Sequence, residues 1–211
     1  MMLAINTKSD VNDKHLKFEF TRDPDLLQQY ANLVIQYYKK DLNLDLTENN
    51  LSNEITHCSQ NEYIYIVRDN KRVIGGTKLT FCQPNLNQRL PMEEDNFSVQ
   101  GYLPAEFNHS FYGEIGRLVI DPSYRGKDIL HNMVKSLMLF SLSHNCGYLF
   151  VLAPRLNAVL YNRICKQLKT PSKVHKDASL PDKQMYRDLQ IKLLSCDLKP
   201  MHQHAMLSEA I

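Results

Sequence analysis

Little in this 211-residue sequence sets it apart from ordinary globular proteins, and each absence removes a class of function. No apolar run approaches the roughly 20 residues that would span a bilayer, and Met1 to Asp10 has no apolar core of signal-peptide type. Neither sign of charge dominates, and a formal net charge of +2 is too small to argue for a nucleic-acid partner. The five cysteines, Cys58, Cys82, Cys146, Cys165 and Cys196, are scattered and odd in number. No pair has metal-ligand spacing, so the expectation is reduced thiols in a cytoplasm and no metal. The histidines are scattered as well, and there is no repeat or low-complexity segment. What remains is ordinary: 43% hydrophobic residues, in a length that suits one domain with a sizeable core.

Residues 1–14 are polar and expected to fray, 15–197 to form the single domain, and 198–211 to be a weakly structured tail. His15 to Thr21 alternates Leu16, Phe18 and Phe20 and predicts a first strand. Asp23-Pro24-Asp25 caps a helix with Leu26, Leu27, Tyr30, Leu33, Val34 and Tyr37 on one side. Asp41 to Gln60 reads as a loop with a short helix. Glu62 to Arg68 is a strand, Asp69 to Arg72 a hairpin turn and Val73 to Cys82 the returning strand. Gly75 and Gly76 there predict a bulge or a close backbone approach. Gln83 to Ser110 is a long link containing Pro84, Pro91, Met92, Phe97, Leu103 and Phe107, of a length that is often functional. Gly147 marks a helix end or turn, Tyr148 to Leu152 a buried strand and Pro154 to Lys169 a helix. Thr170 to Lys183 reads as loop, and Gln184 to Asp197 holds the last strand.

Tyr112 to Leu139 organises the rest. Glu114 to Ile120 is apolar enough for a buried strand, and Asp121-Pro122-Ser123 breaks it. Arg125-Gly126-Lys127 forms a basic turn, and Ile129, Met133, Val134, Leu137 and Met138 then recur at helical spacing. A helix start carries free backbone N–H groups and partial positive charge, so it can hold a phosphate. By itself this is also the pattern of a β-loop-α unit with a solvated basic turn.

The stretch resembles motif A of the GNAT acyltransferases. Val119, Pro122, Arg125, Gly126, Lys127 and Ile129 match that motif, while Asp128 and Leu130 stand where two glycines are usual. The resemblance implies an α/β fold with a mixed, mostly antiparallel sheet flanked by helices. The strands ending near Ile120 and starting near Tyr148 would part in a V. It further implies acetyl-CoA or a longer acyl-CoA as donor. The pantetheine arm would pair with the backbone of Leu118, Val119 and Ile120. The pyrophosphate would lie on Arg125, Gly126, Lys127, Asp128, Ile129 and Leu130. A carboxylate at Asp128 would oppose a pyrophosphate, at about 1–4 kcal/mol for like charges 4 Å apart.

Glu114, at the start of the central strand, is the candidate base that takes a proton from an amine, directly or through water. Its alternative is a salt bridge to Arg117 or a plain strand-end charge. Strand alternation puts Arg117 on the other face unless a bulge at Gly116 resets the phase, so Arg117 receives no catalytic role. Tyr161 falls at the motif B tyrosine, which in the family can protonate the leaving thiolate. Cys165 and Lys166 replace the family's following Gly-Phe, and a core-packed tyrosine is the other reading. Leu79, Leu90-Pro91, Glu114, Gly116 and Arg117 also resemble the N-acyl amino acid synthase and acyl-homoserine-lactone synthase branch, with Lys78 in place of its usual arginine. That branch implies an acyl-carrier protein as alternative donor, with the Gln83–Ser110 link as one wall of an acyl-chain groove.

The expected function is an N-acyltransferase that moves an acyl group from a thioester to a primary amine of a small molecule or protein. It would act as a monomer or homodimer with no membrane attachment. The alternative of another class is a non-catalytic module of the same fold.

Overall fold

The described residues form seven strands, six of them on the alternating and β-branched runs: β1 (Leu16–Thr21), β2 (Glu62–Asp69), β3 (Arg72–Cys82), β4 (Phe111–Ile120), β5 (Cys146–Pro154), β6 (Ser172–His175) and β7 (Ile191–Asp197). Four helices join them: α1 (Pro24–Leu42), α2 (Glu48–Thr56), α3 (Ile129–Ser143) and α4 (Arg155–Gln167). The computed structural model describes residues 15–44, 48–83, 88–93, 97–105, 111–126, 128–176, 178, 180 and 189–200. The N-terminal 1–14, Lys127, part of the 83–110 link and most of the tail, about which the sequence raised expectations, lie outside the described residues.

The strands form one sheet in the order β1-β2-β3-β4-β5-β7-β6, and β4–β5 is its one parallel pair. This is the mixed, mostly antiparallel α/β sheet that the motifs imply. α3 and α4 cover one face, where Ile115, Leu79, Phe81, Leu149, Met133 and Leu137 share a core. α1 and α2 cover β2 and β3 on the other face through Tyr30, Val34, Ile55, Ile64 and Ile66. α1 starts as its sequence dictates: Asp23 accepts from the Asp25 and Leu26 amides, and Pro24 occupies the first turn.

The link that crosses the second face packs as core. Leu90, Met92, Phe97 and Val99 are buried against Tyr112, Phe150 and Leu193. The apolar surface of these four residues is therefore spent on the sheet. Glu93 is the reason this segment can lie down. Its buried carboxylate accepts from the Leu90 amide at 3.0 Å, the Val99 amide at 3.0 Å, the Ser98 hydroxyl at 3.1 Å and the Tyr112 hydroxyl at 3.2 Å.

Three local expectations change. Ser172–His175, read as loop, is edge strand β6, because it completes the ladder of β7 from Ser172↔Cys196 to His175↔Leu193. The left-handed turn before β5 falls on Asn145 (φ 55°), two residues before Gly147, so the strand begins at Cys146. Leu198, assigned to the tail, is fully buried, and its amide donates to the Gly147 carbonyl at 2.9 Å.

Candidate functional site

β4 and β5 stay paired only from Phe111↔Cys146 to Glu114↔Phe150. From Ile115 to Ile120, β4 keeps its ladder with β3 and no longer pairs with β5, so the two strands part in a V. The cause lies in the β3–β4 ladder. Gly76 faces Val119 and Lys78 faces Gly116, so the single residue Thr77 opposes two, Arg117 and Leu118. This bulge puts Arg117 at φ 54° and bends β4 away from β5. The bulge resets the side-chain phase. Arg117 lies on the same face as Glu114, and the face opposite to it, expected from plain alternation, is corrected. Its guanidinium is bidentate to Glu54, at 3.2 and 2.9 Å.

A cleft of about 930 Å³ occupies the V. Leu118, Val119, Ile120, Arg125, Gly126, Ile129, Leu130 and Tyr161 all line it, together with Tyr37, Tyr38 and Asp41 from the end of α1. Two described residues of the turn that leads into α3 are left-handed. Gly126 sits at φ 88° with open space around a would-be Cβ, and exposed Asp128 takes φ 56°. Asp tolerates the left-handed region better than most residues with a side chain. Arg125 folds back to donate to the Ile120 carbonyl at 3.0 Å, pairs with Asp41 and lies 5.9 Å over the Tyr37 ring. Asp121 clamps the same turn by accepting from the Ser123 amide (3.0 Å) and hydroxyl (2.7 Å) and pairing with Arg72.

Tyr161 is nearly buried on α4, and burial pushes its hydroxyl up to about 12. Glu114 does not line the cleft. It stands on the last paired rung of β4 and β5, at the apex of the V, with its side chain toward the link. Its Oε2 accepts from the Met92 amide at 2.7 Å, and its Oε1 lies 3.3 Å from where a Cβ on Gly116 would be. The structure thus brings the backbone edge, Arg125, Gly126 and Tyr161 together around one cleft, and leaves Glu114 outside its lining, on the last rung before the strands part. A separate hollow of about 630 Å³ lies between Gly101–Pro104 of the link and β6 and β7, and none of the candidate catalytic or donor-binding residues lines it.

Beside Glu114, buried Lys78 reaches Glu62 at 2.7 Å, the Glu54 carbonyl at 3.2 Å and the Glu54 carboxylate at 3.6 Å. Burial would raise both carboxylates. For Glu54 the Arg117 and Lys78 contacts outweigh it, and for Glu62 the Lys78 contact and the Ser59 amide do, so both lie below the usual carboxylate range. Depressed folded-state values mean that the unfolded chain binds these protons more readily. The stabilisation is then complete above the ordinary value of 4.5 and is lost as pH falls through the folded values. The thermal midpoint is expected to hold between about pH 6 and 8 and to fall on further acidification. Glu54→Gln should flatten that acid limb, and an unchanged limb would remove Glu54 as a cause. Sequence reasoning gives no special role to Glu54, Glu93 or Tyr30: Glu93 opens the acidic run Glu93-Glu94-Asp95 and reads as surface, and Tyr30 is placed only on the apolar face of the first helix.

The profile of the acetyltransferase (GNAT) family matches residues 27–163, which run from α1 to α4. The chain belongs to this family. Several solved structures share the GNAT fold at low identity. The N-acyl amino acid synthase FeeM from uncultured soil microbes superposes with a TM-score of 0.63 at 9% identity, over 93% of this chain and 98% of that one. A GNAT-family acetyltransferase from Staphylococcus aureus gives 0.58 at 11% identity over 87% and 99% of the two chains. An acetyltransferase from Streptococcus agalactiae gives 0.56 at 15% identity over 86% and 98%. No curated protein sequence matches. Among the described residues of this GNAT protein, no helix is long and apolar enough to cross a membrane, and no group of three or more His, Cys, Asp or Glu could hold a metal.

Proposed function

We propose that this GNAT protein is an N-acyltransferase that moves an acyl group from acyl-CoA to a primary amine. The observation that carries the reading is the end of β4 that no longer pairs with β5, where Leu118, Val119 and Ile120 line a cleft that reaches Arg125 and Gly126. A pantetheine arm is a short amide chain, and a strand edge that has parted from its neighbour supplies backbone groups that can pair with one. The backbone groups of Leu118 to Ile120 that face the cleft would hold the arm and polarise the thioester carbonyl. Arg125, Gly126 and the start of α3, from Ile129 and Leu130, would hold the pyrophosphate. Lys127, assigned to the same job, lies outside the described residues.

Glu114, at the apex, takes a proton from the amine directly or through water. The amine nitrogen bonds to the acyl carbon, the tetrahedral adduct collapses, and the thiolate leaves. Tyr161 stays protonated across the neutral range, so its role is acid and hydrogen-bond donor to that thiolate. Transfer to a thiolate of ordinary value, about 8.5, would be uphill, and burial of the sulfur in the same apolar cleft narrows the gap. Mixing the protein with acetyl-CoA and long-chain acyl-CoA tests the reading. At a hundredfold excess over Kd, binding should stabilise by about 2.7 kcal/mol, a rise of roughly 5–11 °C in Tm. No rise with either thioester would leave the non-catalytic alternative.

A second donor, an acyl-carrier protein, is favoured by an apolar stripe at the cleft mouth. Leu156, Val159 and Leu160 are 82%, 50% and 41% exposed, next to exposed Arg125 and Arg155. Such a stripe with cations beside it suits an acidic protein partner. Asp128→Gly separates the donors, because a carrier protein's single phosphate lacks the pyrophosphate that Asp128 would oppose. The substitution should tighten acyl-CoA about five- to tenfold and leave carrier-protein affinity unchanged. No gain with acyl-CoA would mean that Asp128 faces away from the phosphates, and the argument for the carrier protein would go with it.

A further inference from the structure

The β4 bulge has an unusual residue at its left-handed position. A left-handed bulge residue is normally glycine, and Arg117 has a full side chain at φ 54°. Something must hold it there, because the conformation is costly for a residue with a Cβ. Two buried hydroxyls meet the bulge carbonyls that have left the regular ladder. Thr77 Oγ1 donates to the Gly116 carbonyl at 2.8 Å, and Tyr30 Oη donates to the Arg117 carbonyl at 2.6 Å. Both side chains are fully buried. Tyr30 comes from α1, 87 residues away, and its ring reaches the bulge only because Gly76 has no side chain. A Cβ there would lie 2.7 and 2.8 Å from the ring carbons Cδ2 and Cε2. The glycine that such a bulge ordinarily needs has in effect moved across to β3, where it seats the tyrosine.

We infer that Tyr30 and Thr77 are positioning residues for acyl transfer, acting through the bulge. Their hydroxyls pin the Gly116 and Arg117 carbonyls, Tyr30 from the α1 side and Thr77 from within β3, and so fix the direction of the β4 edge that faces the cleft. The inference rests on the acyltransferase reading, in which that edge polarises the thioester carbonyl. Neither side chain touches substrate. Burial holds the Tyr30 hydroxyl well above its ordinary value, so it stays protonated, and able to donate, across the neutral range. Without the hydroxyl, the Arg117 carbonyl loses this buried donor, and the bulge would relax toward a more regular ladder. The backbone groups of the edge would then turn from the cleft.

The test is Tyr30→Phe, which keeps the ring on Gly76 and removes one oxygen. Thr77→Ser serves as the conservative partner that keeps its hydroxyl. Acetyl-CoA affinity is measured by calorimetry. Polarisation is read from the infrared stretch of the bound, carbon-13-labelled thioester carbonyl, a band that loss of stability alone would not move. Wild type should bind and show the carbonyl band displaced to lower wavenumber from its position in water. Tyr30→Phe should lose at least half of that displacement while affinity changes less than about threefold, and Thr77→Ser should keep it. If wild type does not bind acetyl-CoA, the acyltransferase reading fails and takes this inference with it. Binding by both proteins with an unchanged band in Tyr30→Phe overturns the positioning role alone. Should Tyr30→Phe fail to fold, Thr77→Ala is read the same way, and an undisturbed band there is equally fatal.

Discussion

Glu114→Gln is expected to lower turnover about 10²–10⁴-fold, the usual contribution of a general base, with little change in Tm. Glutamine fits the same space and its side-chain oxygen can still accept from the Met92 amide, which Glu114 Oε2 does at 2.7 Å. The fold around the apex should therefore persist, and acyl-CoA affinity with it, since Glu114 does not line the donor cleft. Only the ability to take a proton is removed. The measurement is release of free thiol from acyl-CoA in the presence of an accepted amine, with binding measured alongside. Equal turnover by mutant and wild type would remove Glu114 from the mechanism, and a loss of donor affinity matching the loss of rate would make it a donor-binding residue instead.

The largest loss of stability is expected from Glu93→Ala. Its carboxylate is buried and meets two backbone amides and two hydroxyls that have turned away from water. Alanine leaves all four donors without that acceptor and opens a void under the link. An unmet buried donor costs about 1–3 kcal/mol, and partial relaxation of the loop brings the sum to roughly 3–5 kcal/mol. For a chain of this size that is a fall of about 6–20 °C in Tm. Glu93→Gln keeps one acceptor oxygen and should lose less. Because the Met92 amide is held in place by the same segment, Glu93→Ala should also lower turnover in whatever protein remains folded. A Tm within about 2 °C of wild type would show that water replaces the carboxylate and that the link does not depend on it.

The elements legible in the sequence are those whose cause is local. Asp23-Pro24 starts α1 because a short acceptor side chain and a fixed φ act within one turn of the helix. Gly75 and Gly76 announced a bulge or close approach, and the structure has both, a register shift after Gly76 and the Tyr30 ring upon it. The Val119 to Ile129 motif located the loop and the family, since a phosphate-sized turn between a strand and a helix needs particular residues at particular spacings. The long link was visible by its length alone.

What the tertiary structure decided depends on partners far away along the chain. The face taken by Arg117 was set by a bulge, and the bulge is held by a tyrosine 87 residues earlier, so no window of sequence could give its phase. Glu93 reads as one more surface carboxylate until four donors converge on it. β6 was too short and polar to be read as a strand, and only the waiting edge of β7 makes it one. Leu198 looked like the start of a tail because burial is a property of what lies above a residue. Helix starts, turns and apolar periodicity are short-range effects that amino-acid order determines directly. Strand phase, buried charge and the direction of a backbone edge are sums over contacts distant in sequence, and they exist only once the sheet has closed around them.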